Sequence, residues 1–114
     1  MPNLHARSAI GAGATISRDS NVAMANIWKK PFTLDMANRT GERTAVGHLG
    51  IEILEIGDDY IRGRVPVDER TRQPFGLLHG GVSVVLAESL GSLGAFYAAP
   101  EGWGAVGLDI NANH

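Results

Sequence analysis

Residues 73–89 read QPFGLLHGGVSVVLAES, and the apolar run continues to Ala99 before Pro100. The pattern predicts a loop rich in Gly and Pro, then one long helix over about residues 80–98. Within that helix stands a single acid, Glu88, preceded by Val84, Val85, Leu86 and Ala87 and followed by Leu90. A helix with almost no charged face has to be covered on most sides. Gly80–Ala99 is long enough to cross a bilayer. However, a carboxylate at its centre is costly at that depth, and Gly91, Gly94, Ser83, Ser89 and Ser92 dilute its apolarity. The expectation is a core helix and no membrane partner.

The sequence before the helix reads as sheet. In GHLGIEILEIGDDYIRGRVPVDE (47–69), strand-like runs at about 49–56 and 60–67 flank GDD, a hairpin signal. Ile61, Gly63, Val65 and Val67 alternate with Tyr60, Arg62 and Arg64, which suits a sheet with one covered face. Pro66 marks an edge position or a strand end. Upstream, Thr33 caps a short helix over Leu34–Arg39, with Asp35 in its first turn and Gly41 at its end. Beyond the long helix, Val106, Leu108, Ile110 and Ala112 alternate with Gly107, Asp109, Asn111 and Asn113 and predict a strand from about Ala105. Residues 1–25 show no period and no aromatic residue, and are expected to be a disordered extension. Residues 26–114 are then the domain. Three short strands cannot cover so apolar a helix. Further sheet in a longer chain, a second subunit, or both are expected.

Composition narrows the function. The chain has 114 residues, which suits one small domain. Its net charge is −2 with no basic block, which argues against nucleic acid as partner. It has no cysteine, so thiolate metal sites and cysteine nucleophiles are excluded and a reducing, cytoplasmic setting fits. No two histidines have metal-ligand spacing, and no GxGxxG, Walker loop or GxSxG elbow is present. No metal or other cofactor is expected.

The helix offers two chemical tools. At its start, His79-Gly80-Gly81, the first backbone N–H groups have no intrahelical acceptor and the helix dipole is positive. That end can hold a carbonyl oxygen as it gains charge, with His79 or Gln73 adding a side-chain donor. Glu88 can serve as nucleophile or general base. Ser92, at i+4 on the same face, can hydrogen-bond the carboxylate or hold a water. Gly80 and Glu88 stand eight residues apart, about 12 Å along a helix, whereas groups acting on one carbonyl carbon need about 3 Å. A second, antiparallel copy of the helix across a two-fold axis would bring Gly80 of one subunit beside Glu88 of the other. Each feature also has a plainer explanation. Glu88 can be a buried acid satisfied by a partner, His79 an ordinary helix-start residue, and Gly80 and Gly81 an aid to close packing.

Taken together, VDERTRQPFGLLHGGVSVVLAESLGS and GLDINANH resemble the hotdog-fold acyl-CoA thioesterases, from about Ile27 to His114. Within them the chain is similar to the group that hydrolyses 1,4-dihydroxy-2-naphthoyl-CoA in menaquinone biosynthesis and to the sister group that proofreads aryl carrier proteins in enterobactin synthesis. The resemblance implies an α+β hotdog fold, with a long central helix wrapped by an antiparallel sheet, in homodimers that pair again into tetramers. It implies Glu88 as nucleophile or general base, and the Gly80 N–H of the other subunit, helped by His79 and Gln73, polarising the thioester carbonyl. Ser92 would assist Glu88 or its water, and Phe75, Ser89 and His114 would line the acyl or pantetheine region. The family continues for several strands after NANH, and residues 1–25 have no counterpart in it. Three functions follow as expectations. One is an acyl-CoA thioesterase acting on an aromatic acyl group. The second is a non-catalytic hotdog domain that binds acyl-CoA or an acyl carrier protein. The third is an inactive truncated remnant.

Overall fold

The computed structural model describes residues 3–9 and 26–113. Its frame is the expected hairpin: β2 (Glu52–Ile56) and β3 (Tyr60–Pro66) run antiparallel around Gly57, Asp58 and Asp59. Ile61, Gly63 and Val65 are buried, and the arginines between them face outward. Arg64 pairs with Glu52 at 2.7 Å and Arg62 with Glu55 at 3.0 Å. These are cross-strand pairs on a half-exposed face, each contributing less than about 1 kcal/mol. Pro66 takes the strand-end option, since β3 is the central strand of a sheet ordered β1-β3-β2.

The first strand, β1 (Asn3–Ala9), departs from the sequence reading. It pairs antiparallel with β3 from Asn3 opposite Pro66 to Ala9 opposite Tyr60, and Leu4 and Ala6 pack against the core. The expectation of a disordered extension over residues 1–25 is therefore corrected for this segment. β3 has a second row of backbone donors and acceptors, and an extended segment satisfies them without any apolar period of its own. Residues 1–2 and 10–25 lie outside the described residues.

The other edge of the sheet is closed by a helix. Thr33 caps α1 (Leu34–Gly41) by accepting from Met36 N–H at 3.2 Å, and Asp35 pairs with Arg39 one turn on. Gly41 is the last helical residue, as expected, although no left-handed residue ends the helix; the cap, Glu42, stays right-handed and donates to Arg39 O. One face of α1 buries Ala37 and turns Asn38 onto β2. There Asn38 Oδ1 accepts from Ile53 N–H at 2.8 Å, and Asn38 Nδ2 donates to Ile53 O at 3.0 Å. A four-residue helix, α2 (Ala45–His48), capped by Thr44, follows. It is too short to leave a periodic signal.

The long helix, α3 (Gly80–Ala98), has the predicted bounds and lies on β1 and β3. Leu86 and Leu90 are fully buried, with Gly94 and Tyr97 on the same stripe. Each leucine contributes about 1.5–3 kcal/mol. Gly63 lets the helix come this close, because a Cβ there would sit 2.9 Å from Leu90 Cδ2. The helix ends because Ala99, before Pro100, adopts extended backbone. By length and apolarity α3 is also able to cross a membrane.

The predicted strand after α3 does not form. Residues 103–113 run without regular structure, and Val106 and Leu108 are 85% and 97% exposed. A strand needs a ladder. Within one chain β1 takes the free side of β3 and Asn38 occupies the outer groups of Ile53 on β2, so this segment is left without a partner strand.

Candidate active site

Glu88 projects from the face of α3 opposite Leu86 and Leu90 and is half-buried. Ser92 Oγ donates to Glu88 Oε1 at 3.2 Å, the i+4 contact expected from the sequence. The pair stands between two cavities. The larger, about 390 Å³, lies under α1 and α2. Ala37, Val46, Ile53 and Leu93 give it an apolar wall, and Thr40, Thr44 and Ser89 add polar atoms. The smaller, about 200 Å³, lies under the 105–110 segment and shares Glu88 and Ser92 with the first. Ser89 lines the larger cavity together with Glu88.

The start of α3 is built from a loop held at its base. Thr71 is fully buried, donates through Oγ1 to Pro66 O at 2.7 Å, and accepts from Asp68 N–H. Its carbonyl accepts from His79 N–H at 2.8 Å. Arg70 hydrogen-bonds Asp68 and holds its carboxyl below the ordinary carboxylate value, and the same contact raises the Arg70 guanidinium. Between these anchors Gln73 and Leu77 close a turn in which Gly76 takes a φ of 83°.

His79 is the N-cap of α3, and its Nδ1 accepts from Gly81 N–H at 2.9 Å. In the neutral ring this leaves Nε2–H as a donor. Gln73 Oε1 accepts from Phe75 N–H, which leaves its amide NH₂ as a donor. Among the described residues the Gly80 N–H has no acceptor. The three expected carbonyl-binding groups therefore keep donors free, while the two side chains spend their acceptors on their own backbone.

Within one chain these donors do not meet Glu88. Gln73, Phe75, His79 and Gly80 line neither cavity beside the carboxylate, and Phe75 is 90% exposed at the loop tip. His114 lies outside the described residues. The sequence reading missed the wall of the larger cavity: Ala37, Asn38 and Thr40 lie on α1, a helix it gave no role at the site, and Thr44 caps α2, which it did not foresee. It also gave no role to Gly107. That residue stands against Glu88 only because the 105–110 segment crosses α3.

A long helix laid across an antiparallel sheet, with its one acid on the far face, is the hotdog arrangement expected from the sequence. A solved thioesterase of Haemophilus influenzae superposes on the chain with a TM-score of 0.75 at 58% identity, over 77% of this chain and 62% of that one. A thioesterase variant of Pseudomonas aeruginosa, with a glutamine changed to alanine, gives 0.75 at 41%, over 78% and 65%. Among curated proteins, the 1,4-dihydroxy-2-naphthoyl-CoA hydrolase of Escherichia coli is 53% identical over 88 residues, 77% of this chain and 65% of that protein. A Haemophilus influenzae protein named provisionally as an esterase is 58% identical over 88 residues, 77% and 64%. The resemblance to the hotdog-fold thioesterases therefore holds, and these proteins are homologues of the chain. The chain spans less than two thirds of the length of these curated relatives. No protein-family model matches it.

Proposed function

We propose that the chain carries the central helix and the reacting carboxylate of a thioester hydrolase acting on an aromatic acyl-CoA, 1,4-dihydroxy-2-naphthoyl-CoA being the best candidate. The observation that carries this reading is the Glu88–Ser92 pair set between an apolar cavity and a second, smaller one. The larger cavity's volume falls within the range of about 300–1,000 Å³ usual for small-molecule sites. Its hydroxyls favour a hydroxylated ring. Thr40 Oγ1 donates to Met36 O and is left to accept from a phenolic O–H group, while Thr44 Oγ1 donates to Gly41 O, accepts from Val46 N–H and keeps one lone pair. The name of the E. coli relative points to the same acyl group.

In this reading Glu88 takes a proton from a water as the water oxygen bonds to the thioester carbon, or attacks that carbon itself to form a mixed anhydride that a water then hydrolyses, the water supplying the proton. The carbonyl oxygen gains charge and accepts from the Gly80 N–H, with His79 Nε2–H and the Gln73 NH₂ beside it. The C–S bond then breaks, and the thiolate of coenzyme A takes up the proton. Because Gly80 and Glu88 lie about 12 Å apart on one helix, the carbonyl-binding group comes from a second subunit in a homodimer or dimer of dimers.

Thiol release from 1,4-dihydroxy-2-naphthoyl-, benzoyl- and phenylacetyl-CoA and from an aryl carrier-protein thioester tests the reading. The naphthoyl thioester is expected to give the highest kcat/KM. Glu88→Gln is expected to lower kcat by about 10³-fold with melting unchanged. An unaltered kcat in that variant would sink the proposal.

A further inference from the structure

The geometry points to Gly107 as a positioning residue for Glu88: the absence of a side chain at 107 is what allows the carboxylate to stand beside Ser92. This rests on the reading of Glu88 as the reacting group. A Cβ built on Gly107 would lie 2.0 Å from Glu88 Oε1, 2.9 Å from Cδ and 3.3 Å from Oε2. Its three nearest neighbours are thus all atoms of one carboxylate. Oε1 is also the oxygen that accepts from Ser92.

The backbone gives no other reason for glycine here. Glycines with positive φ among the described residues are Gly50, Gly76 and Gly102; Gly107 is not one of them. Alanine therefore fits the local conformation, and the obstacle is Glu88 alone. What the added methyl meets is the far end of a flexible side chain, so the carboxylate yields more readily than a packed backbone would. A carboxylate that yields leaves the present place of Oε1, the oxygen that accepts from Ser92. Gly107 thus leaves room for the carboxylate between the two cavities that share it.

The test is Gly107→Ala in the intact chain. A misplacement of about 1 Å is expected to lower kcat by about 10²-fold, with KM and melting temperature little changed. In a Glu88→Ala background the same substitution is expected to cause no further loss, because no carboxylate remains to displace. A crystal structure of Gly107→Ala should show the carboxylate turned off Ser92. Full kcat, an equal fold-loss in the Glu88→Ala background, or an unmoved carboxylate would each overturn the proposal. Wild-type kcat in Glu88→Ala alone would instead refute the hydrolase reading, and the crystal structure would still decide the role of Gly107.

Discussion

At the middle of α3, Glu88 has Ser92 at 3.2 Å, Gly107 against its carboxylate and a cavity on either side. Eight residues earlier the same helix begins with His79 and Gly80 beside an exposed loop whose tip, Phe75, touches no cavity at the carboxylate. The first region is complete within one chain. The second has a base held by Thr71 and Asp68, and donors that lie away from Glu88 within the chain. The proposed shared site would take its carbonyl-binding donors from one copy and its carboxylate from another. The contrast agrees with the proposal, drawn from the helix rise, that acid and carbonyl-binding donors act together between copies.

The largest effect that can break this contrast is complementation. Glu88→Ala and Gln73→Ala chains, each inactive or nearly so alone, are expected to regain about a quarter of wild-type activity when refolded together, because half the dimers are mixed and each mixed dimer holds one intact site. No recovery would place both groups in the same subunit's site. Next, Ser92→Ala removes the hydrogen bond to Oε1 and is expected to lower kcat about tenfold at nearly constant KM. A rise in KM alone would make Ser92 a substrate contact. At the other end, His79→Ala removes the N-cap acceptor and is expected to lower stability by about 1 kcal/mol, read as a drop in melting temperature. No drop would mean that the imidazole serves only the ligand.

The smallest effect concerns the base of the loop. Arg70 holds the Asp68 carboxyl below its ordinary value of 3.8. A carboxylate depressed in the folded state contributes stability that is present above its unfolded pKa and lost as pH falls through the folded one. Asp68→Asn is therefore expected to melt slightly below wild type near neutral pH, and the gap should vanish in strong acid. A gap that persists there would assign the effect to packing rather than charge.

The two regions also differ in how far the sequence revealed them. The Glu88–Ser92 contact followed from i+4 spacing, and the bounds of α3 followed from His79, Gly80 and Pro100. The hairpin was legible because Ile61, Gly63 and Val65 alternate with charged residues. Three features were not. β1 forms because β3 offers it an edge, and an edge is a property of the assembled sheet. α2 is one turn long. The segment after Ala105 carries the alternation of a strand, but pairing depends on a partner that no local pattern specifies. Gly107 escaped notice for the same reason, since its neighbour Glu88 is distant in sequence.

Asn38 has a consequence for solubility. By using both amide ends on Ile53 it occupies one pair of backbone groups on the edge of β2 that could otherwise bond a strand from another molecule. In a chain with so much exposed apolar side chain along residues 103–110, one asparagine thus blocks strand pairing at that point of the sheet edge.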